Sequence, residues 1–263
     1  MDKNIKLGFI GFGNMAQAMA KGLLLKEVLP PKQIYACAKN LEKLRENAGD
    51  MGIQPCKTAR ELSENADLIV VAVKPYLIQE VLEPVKDILK DKILVSVAAG
   101  WLFEKYEEIL APGTHHISTL PNTPVSIGEG IIVCEGQHSL TEEEYELFQQ
   151  LFAPIGMLQP VDTKQFGIAG TISGCGPAFA AMFIEALADA AVLHGLPREL
   201  SYGLASQMTA GTGKLQMASK AHPGTMKDAV CSPGGTTIVG VAALERNGFR
   251  SAVIDAVDGI MKK

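Results

Sequence analysis

Two glycine-bearing turns in this chain have the residue types and spacing from which chemistry can be built. The first is Gly11-Phe12-Gly13-Asn14-Met15-Ala16, a GxGxxA lying between an apolar run at 5–10 and a helix-competent run at 14–25. In that placement the first glycine makes the turn and the second lets the backbone approach a pyrophosphate. The third small residue lets the helix pack on the strand. The helix that follows turns its positive end toward phosphates. The second turn is Ser232-Pro233-Gly234-Gly235-Thr236-Thr237, which runs into another helix-competent segment. Gly234 and Gly235 open backbone conformations closed to other residues, and Thr236 or Thr237 can cap the helix. Such a loop can aim several N–H groups at one point, a site for an anion such as a carboxylate. Taken in isolation it can equally be an ordinary capped helix start.

Residues at the ends of other apolar runs bear on the ligand. Ala36-Cys37-Ala38-Lys39-Asn40 contains no acid to hold ribose hydroxyls, and Lys39 can pair with a 2′-phosphate or be a solvated loop lysine. The expectation is NADPH, with NADH as the alternative. Val73-Lys74-Pro75 and Ala98-Ala99-Gly100 end two further strands, where open α/β sheets bind ligands. Lys74 is expected to point into the crevice, and Ala99 and Gly100 leave room for a flat ring. Asn122, in Pro121-Asn122-Thr123-Pro124, lines the same crevice or belongs to an ordinary turn. The expected cofactor set is therefore Gly11, Gly13, Asn14, Met15, Ala36, Lys39, Val73, Lys74, Pro75, Ala98, Gly100 and Asn122.

The elements that must position these residues follow from periodicity. Strand patterns at 5–10, 34–38, 68–73, 93–98, 115–120, 131–134 and 156–161 alternate with helical ones. The helical patterns lie at 14–25, 41–51, 59–65, 76–89 (interrupted by Pro84), 103–110 and 141–152, the last opened by a Thr141/Glu144 capping box. This predicts an α/β fold over residues 1–161, a doubly wound sheet parallel at least through its first part. From 162 to 263 the patterns, at 177–194, 199–219, 236–246 and 249–261, are all helical. So much apolar helical surface is expected to be buried against a second copy of the chain.

Bulk properties narrow the class. The chain has 263 residues, enough for one large domain or two modest ones. It is 47% hydrophobic and 20% charged, a soluble globular balance. A net charge of −5 argues against nucleic-acid binding. Five scattered cysteines without CxxC spacing read as reduced thiols of a cytoplasmic protein. No signal peptide is read at residues 1–6, and no apolar stretch is read as reaching the roughly 18 residues of a membrane span.

Together the residues resemble the pyrroline-5-carboxylate reductase family over essentially the whole chain. The resemblance runs through GFGNMA at 11–16, VKP at 73–75, AAG at 98–100, PNTP at 121–124, SGCGPAF at 173–179 and EALADA at 185–190. It continues through HPGTMKDAVCSPGGTTIVGVAALERNGFR at 222–250. It implies an N-terminal Rossmann domain and a C-terminal all-α dimerisation domain that interlocks into homodimers, which often assemble into decamers. It implies NAD(P)H-dependent reduction of 1-pyrroline-5-carboxylate to L-proline, the last step of proline biosynthesis. It places the substrate carboxylate on Ser232, Gly234, Gly235, Thr236 and Thr237. The chain departs from the family pattern at Ser118 (commonly Arg), Leu120 (commonly Met) and Cys175 (commonly Ser). It also has Gly170-Thr171 where Thr-Gly is usual, and that family Thr lies near the substrate nitrogen.

A protonated imine accepts hydride far more readily than a neutral one, so the protein has to orient the reactants, complement their charge and exclude water. No His, Glu or Asp stands out as a general acid, and no metal is expected. Thr171 and Lys74 are the catalytic expectations, with water or a substrate protonated in solution as other proton sources. The alternatives are a reductase of another small cyclic imine acid and a non-catalytic NADPH-binding regulatory protein. A β-hydroxyacid dehydrogenase is disfavoured, because its lysine motif is absent.

Overall fold

The computed structural model describes residues 5–262. Residues 1–4, part of the stretch read for a signal peptide, and residue 263 lie outside the described residues. Apolar runs with turn residues at both ends form the strands β1 (Leu7–Ile10), β2 (Ile34–Cys37), β3 (Gln54–Cys56), β4 (Leu68–Val71), β5 (Ile93–Ser96), β6 (His115–Pro121), β7 (Gly130–Glu135) and β8 (Gly156–Val161). They make one sheet in the order β3-β2-β1-β4-β5-β6-β7-β8. Every adjacent pair is parallel except β6 and β7, which run antiparallel. The crossovers are α1 (Asn14–Leu25), α2 (Leu41–Met51), α3 (Ala59–Asn65), α4 (Ile78–Leu82), α5 (Lys86–Leu89) and α6 (Phe103–Ile109). α7 (Glu142–Phe152) joins β7 to β8.

The strands read as continuous hydrophobic runs because helices cover both faces. Successive side chains alternate between the two layers. Phe9, Leu68, Val70 and Val95 pack in one core, and Ile10, Ile69, Val71 and Leu94 in the other. The α7 start has the expected box: the Thr141 side chain accepts from Glu144 N–H while Glu144 accepts from Thr141 N–H. The 76–89 helix breaks into α4 and α5 around a 3-10 turn at Glu83–Val85, as Pro84 requires.

The remaining helices are α8 (Thr163–Leu193), α9 (Arg198–Ser219), α10 (Pro223–Ala229), α11 (Thr236–Arg246) and α12 (Phe249–Met261). The chain forms two compact units, one ending at Gly174 and one beginning at Cys175, so α8 runs from the first unit into the second. Among the described residues from Cys175 onward, only Ala188, Ser201 and Ala205 are buried. Large apolar side chains stand exposed there, Met182 at 68% and Leu193 at 82%.

Four expectations need correction. α8 begins at Thr163, and Pro177 lies inside it instead of opening it. The glycines at 167–176 resemble a loop in sequence, but the helix continues through them. As a consequence α8 is long and apolar enough, by length and composition, to cross a membrane, against the expectation that no such stretch exists. β3 escaped notice because Pro55 weakens its pattern, and Pro is tolerated there because β3 is an edge strand. α10 is a short helix opened by His222, whose Nδ1 accepts from Gly224 N–H at 3.1 Å.

Candidate active site

The crevice of the N-terminal unit opens at the carboxyl ends of β1, β2, β4 and β5. The strand order reverses there between β1 and β4, which is where open α/β sheets bind ligands. Gly11 has φ +90°, and a Cβ on it would lie 2.7 Å from the Ala72 carbonyl oxygen and from Val73 Cγ1. Only glycine fits. Its N–H donates to the Cys37 carbonyl at 2.9 Å, tying the turn to β2. Gly13 is the N-cap of α1 and carries no side-chain cap. A Cβ there would meet nothing within 4 Å. The first N–H groups of α1, on Asn14, Met15 and Ala16, have no intrahelical acceptor. An uncapped helix end facing open space, with Ala16 fully buried behind it, fits a dinucleotide pyrophosphate.

Around this turn, Ala36 is buried in β2 and Lys39 is exposed just past the strand. The next residue, Asn40, caps α2 by accepting from Lys43 N–H at 3.0 Å. Cys37 and Cys56 are register partners on β2 and β3. Burial pushes their thiols up to about 12 and about 11, which keeps both protonated and unreactive. β4 ends at Val71, so half-buried Val73 and exposed Lys74 belong to the loop. Pro75 opens a 3-10 turn there. Ala98 is buried after β5, and Gly100 has φ +75° and is exposed. Below them Ser96 accepts from Tyr106 Oη at 2.6 Å, and its carbonyl accepts from Thr119 Oγ1 at 2.7 Å, fixing the end of β5.

Asn122 is turned inward. It is 6% exposed; its Oδ1 accepts from Ile131 N–H at 2.8 Å and its Nδ2 donates to the Ser173 carbonyl at 3.0 Å. Thr171 is also buried, and its Oγ1 donates to the Gly167 carbonyl at 3.0 Å within α8. Gly170 packs on β6: a Cβ there would lie 2.3 Å from Leu120 Cδ1. Two departures from the family pattern, at 120 and at 170–171, therefore touch one another. Ser118 is buried on β6 opposite Ser96, and its hydroxyl has no hydrogen-bond partner.

In the second unit, Ser232–Gly235 make a tight turn in which Gly235 N–H donates to the Ser232 carbonyl at 3.0 Å. Gly234 has φ +70°. A Cβ on Gly235 would lie 2.4 Å from Ser232 Oγ, so the turn admits only glycine at 235 without displacing that hydroxyl. The N-cap of α11 is Gly235, with no side-chain cap. Thr236 and Thr237 are therefore the first helical residues and not its caps, which corrects the expectation. The correction favours the anion reading, because the N–H groups of Thr236, Thr237 and Ile238 have no intrahelical acceptor. Ser232, Gly234, Thr236 and Thr237 are all exposed. Lys227, five residues upstream of Ser232 in α10, pairs with neighbouring Asp228, and that hydrogen bond holds its ammonium above the ordinary range.

One polar group escaped the sequence reading altogether. Glu135, 1% exposed at the end of β7, accepts from Phe103 N–H and from Thr163 Oγ1, both at 2.8 Å. It thereby serves the first residue of α6 and the first residue of α8. No local pattern marks it.

Comparison with known proteins agrees with this layout. Residues 163–263 match the family model described as pyrroline-5-carboxylate reductase dimerisation, and residues 6–100 match one described as NADP oxidoreductase coenzyme F420-dependent. A pyrroline-5-carboxylate reductase of Treponema pallidum is 44% identical over 96% of this chain and 97% of its own length. The Escherichia coli protein of that name is 37% identical over 98% and 96%. A crystal structure of Plasmodium falciparum pyrroline carboxylate reductase with NADP bound superposes with TM-score 0.89 at 32% identity, covering 99% of this chain and 97% of that one. Identity of this depth, unbroken from one unit through the other, establishes that the chain belongs to the pyrroline-5-carboxylate reductase family.

Proposed function

We propose that the protein reduces 1-pyrroline-5-carboxylate to L-proline with NADPH. The observation that carries this reading is the uncapped start of α11 behind Gly234 and Gly235, an anion-ready helix end in a chain similar along its whole length to reductases of this substrate. NADPH, when bound, supplies a hydride to the imine carbon; the C=N bond becomes C–N, and the nitrogen keeps its proton. The chain's own residues bind and orient. Gly11, Gly13, Asn14 and Met15 hold the pyrophosphate, and Ala36 and Lys39 flank the adenosine ribose, where Lys39 favours a 2′-phosphate. Val73, Lys74, Pro75, Ala98 and Gly100 line the nicotinamide end, where Lys74 supplies a positive charge. Ser232, Gly234, Gly235, Thr236 and Thr237 hold the carboxylate.

The proton is supported best as arriving with the substrate. The Thr171 hydroxyl gives its hydrogen to Gly167 and must break that bond to act as a donor. The protein works as a cytoplasmic homodimer, five of which assemble further into a decamer, without membrane or nucleic-acid partners. The exposed apolar surface from Cys175 onward supports the dimer. It also gives α8 a protein partner in place of lipid.

Purified protein mixed with pyrroline-5-carboxylate and either NADPH or NADH tests this reading. Cofactor oxidation with matching proline formation is expected, with the higher kcat/KM for NADPH. The six-membered imine acid should turn over less efficiently. Absence of turnover with both cofactors would sink the proposal.

A further inference from the structure

We propose that Asn122 is a positioning residue that replaces, from outside the helix, the hydrogen bond Pro177 deletes from α8. In an α-helix the carbonyl of residue i accepts from the N–H of residue i+4. Pro177 has no N–H, so the carbonyl it leaves without a helical donor is that of Ser173. That carbonyl accepts from Asn122 Nδ2 at 3.0 Å. The orientation of the amide is not ambiguous. Its oxygen meets a backbone N–H, of Ile131, and its nitrogen meets a backbone carbonyl, and neither partner can exchange roles.

The bridge joins β7 to α8 at a buried point. Asn122 N–H also donates to the Ile131 carbonyl at 3.1 Å and its carbonyl accepts from Val125 N–H at 3.2 Å, so the residue is pinned on the backbone side as well. The helix it holds is locally weak. Glycines stand at 167, 170, 174 and 176, and the Thr171 and Ser173 hydroxyls bond back to the Gly167 and Ala169 carbonyls, a pattern that loosens and bends helices. Fixing the Ser173 carbonyl fixes the segment 170–173 against the end of β6, where Gly170 seats on Leu120. Asn122 thus acts through α8, by holding the segment that carries Thr171.

This inference rests on the reductase reading, and a two-residue cycle on the full-length protein separates the two. Wild-type turnover reports on the reductase reading; ratios among variants report on Asn122. Asn122→Ala should lower kcat by roughly tenfold or more, with the KM for NADPH within about twofold of wild type. Pro177→Ala restores an N–H at 177. Added to Asn122→Ala, it should recover at least about threefold in kcat, because the Ser173 carbonyl regains a donor. Asn122→Asp keeps the acceptor for Ile131 and sets an oxygen against the Ser173 carbonyl in place of the donor, so its loss should be at least that of Asn122→Ala, and it decides the matter if Asn122→Ala folds poorly. A raised KM for NADPH with kcat unchanged would mean direct cofactor contact and overturn the proposal. So would kcat within twofold in Asn122→Asp, or no recovery on adding Pro177→Ala.

Discussion

Leu120 and Gly170 make one unit of packing, and each explains the other. A branched side chain at 120 occupies the space a Cβ at 170 needs, at 2.3 Å. Gly170→Ala must turn the Leu120 methyl aside, which should cancel most of the roughly 1 kcal/mol that Ala gains over Gly in a helix. In a Leu120→Ala background the same change should stabilise by roughly that full 1 kcal/mol. Urea unfolding of the four proteins reads the coupling, and additive effects would refute the contact. The same residue-level detail separates glycines by role. Gly11 and Gly234 are demanded by positive φ, and a local motif reveals such a need. The place of Gly170 depends on a side chain fifty positions away and is invisible to spacing.

Single buried polar groups set where helices start. Glu135 gives its two oxygens to Phe103 N–H and Thr163 Oγ1. Gln at 135 can accept at one atom only and would turn an NH2 toward a donor. Glu135→Gln is expected to lower unfolding free energy by about 1–3 kcal/mol, seen as a reduced denaturant midpoint with unchanged slope. On β6, His116 is buried, stacks on Phe103 at 4.7 Å and contacts Glu107 through Nε2 at 2.7 Å. Burial pulls its pKa below the ordinary value, outweighing the opposing pull of Glu107. The folded state therefore binds fewer protons at this site than the unfolded state. Its stabilising effect is present above the unfolded pKa of about 6.5 and is lost as pH falls below it. The unfolding midpoint should fall between about pH 7.5 and 5.5, and His116→Gln should flatten that part of the profile. An identical slope in the variant would show that other groups carry it.

For the chain as a whole, the two units differ in how they are held together. The first has two sheet-flanking cores. The second buries only Ala188, Ser201 and Ala205 among its described residues, while Phe179, Met182, Phe183, Leu244, Phe249 and Val253 line an open apolar cavity. A unit of that kind is stabilised by whatever covers it. Met182→Asp should convert the proposed homodimer to monomer in sedimentation, with a lower and concentration-independent melting temperature. A variant that stays dimeric with unchanged melting would place the interface elsewhere.

Much of this was legible in the primary structure because it is local. Hydrophobic period, the GxGxxA turn and the SPGGTT turn all state backbone requirements within a few residues, and they led to the sheet, the glycine turn at the end of β1 and the uncapped start of α11. The folded structure settled what those patterns left open, by backbone geometry at the start of α11 and by long-range contact at α8. Whether Thr236 caps α11 turned on the position of Gly235 as N-cap. Whether α8 passes through Pro177 turned on a donor fifty-one residues distant from the orphaned carbonyl. Gly weakens a helix by about as much as one hydrogen bond stabilises it, and Pro by roughly three times that, so tertiary packing together with a partner supplied by the fold reverses what local propensity predicts.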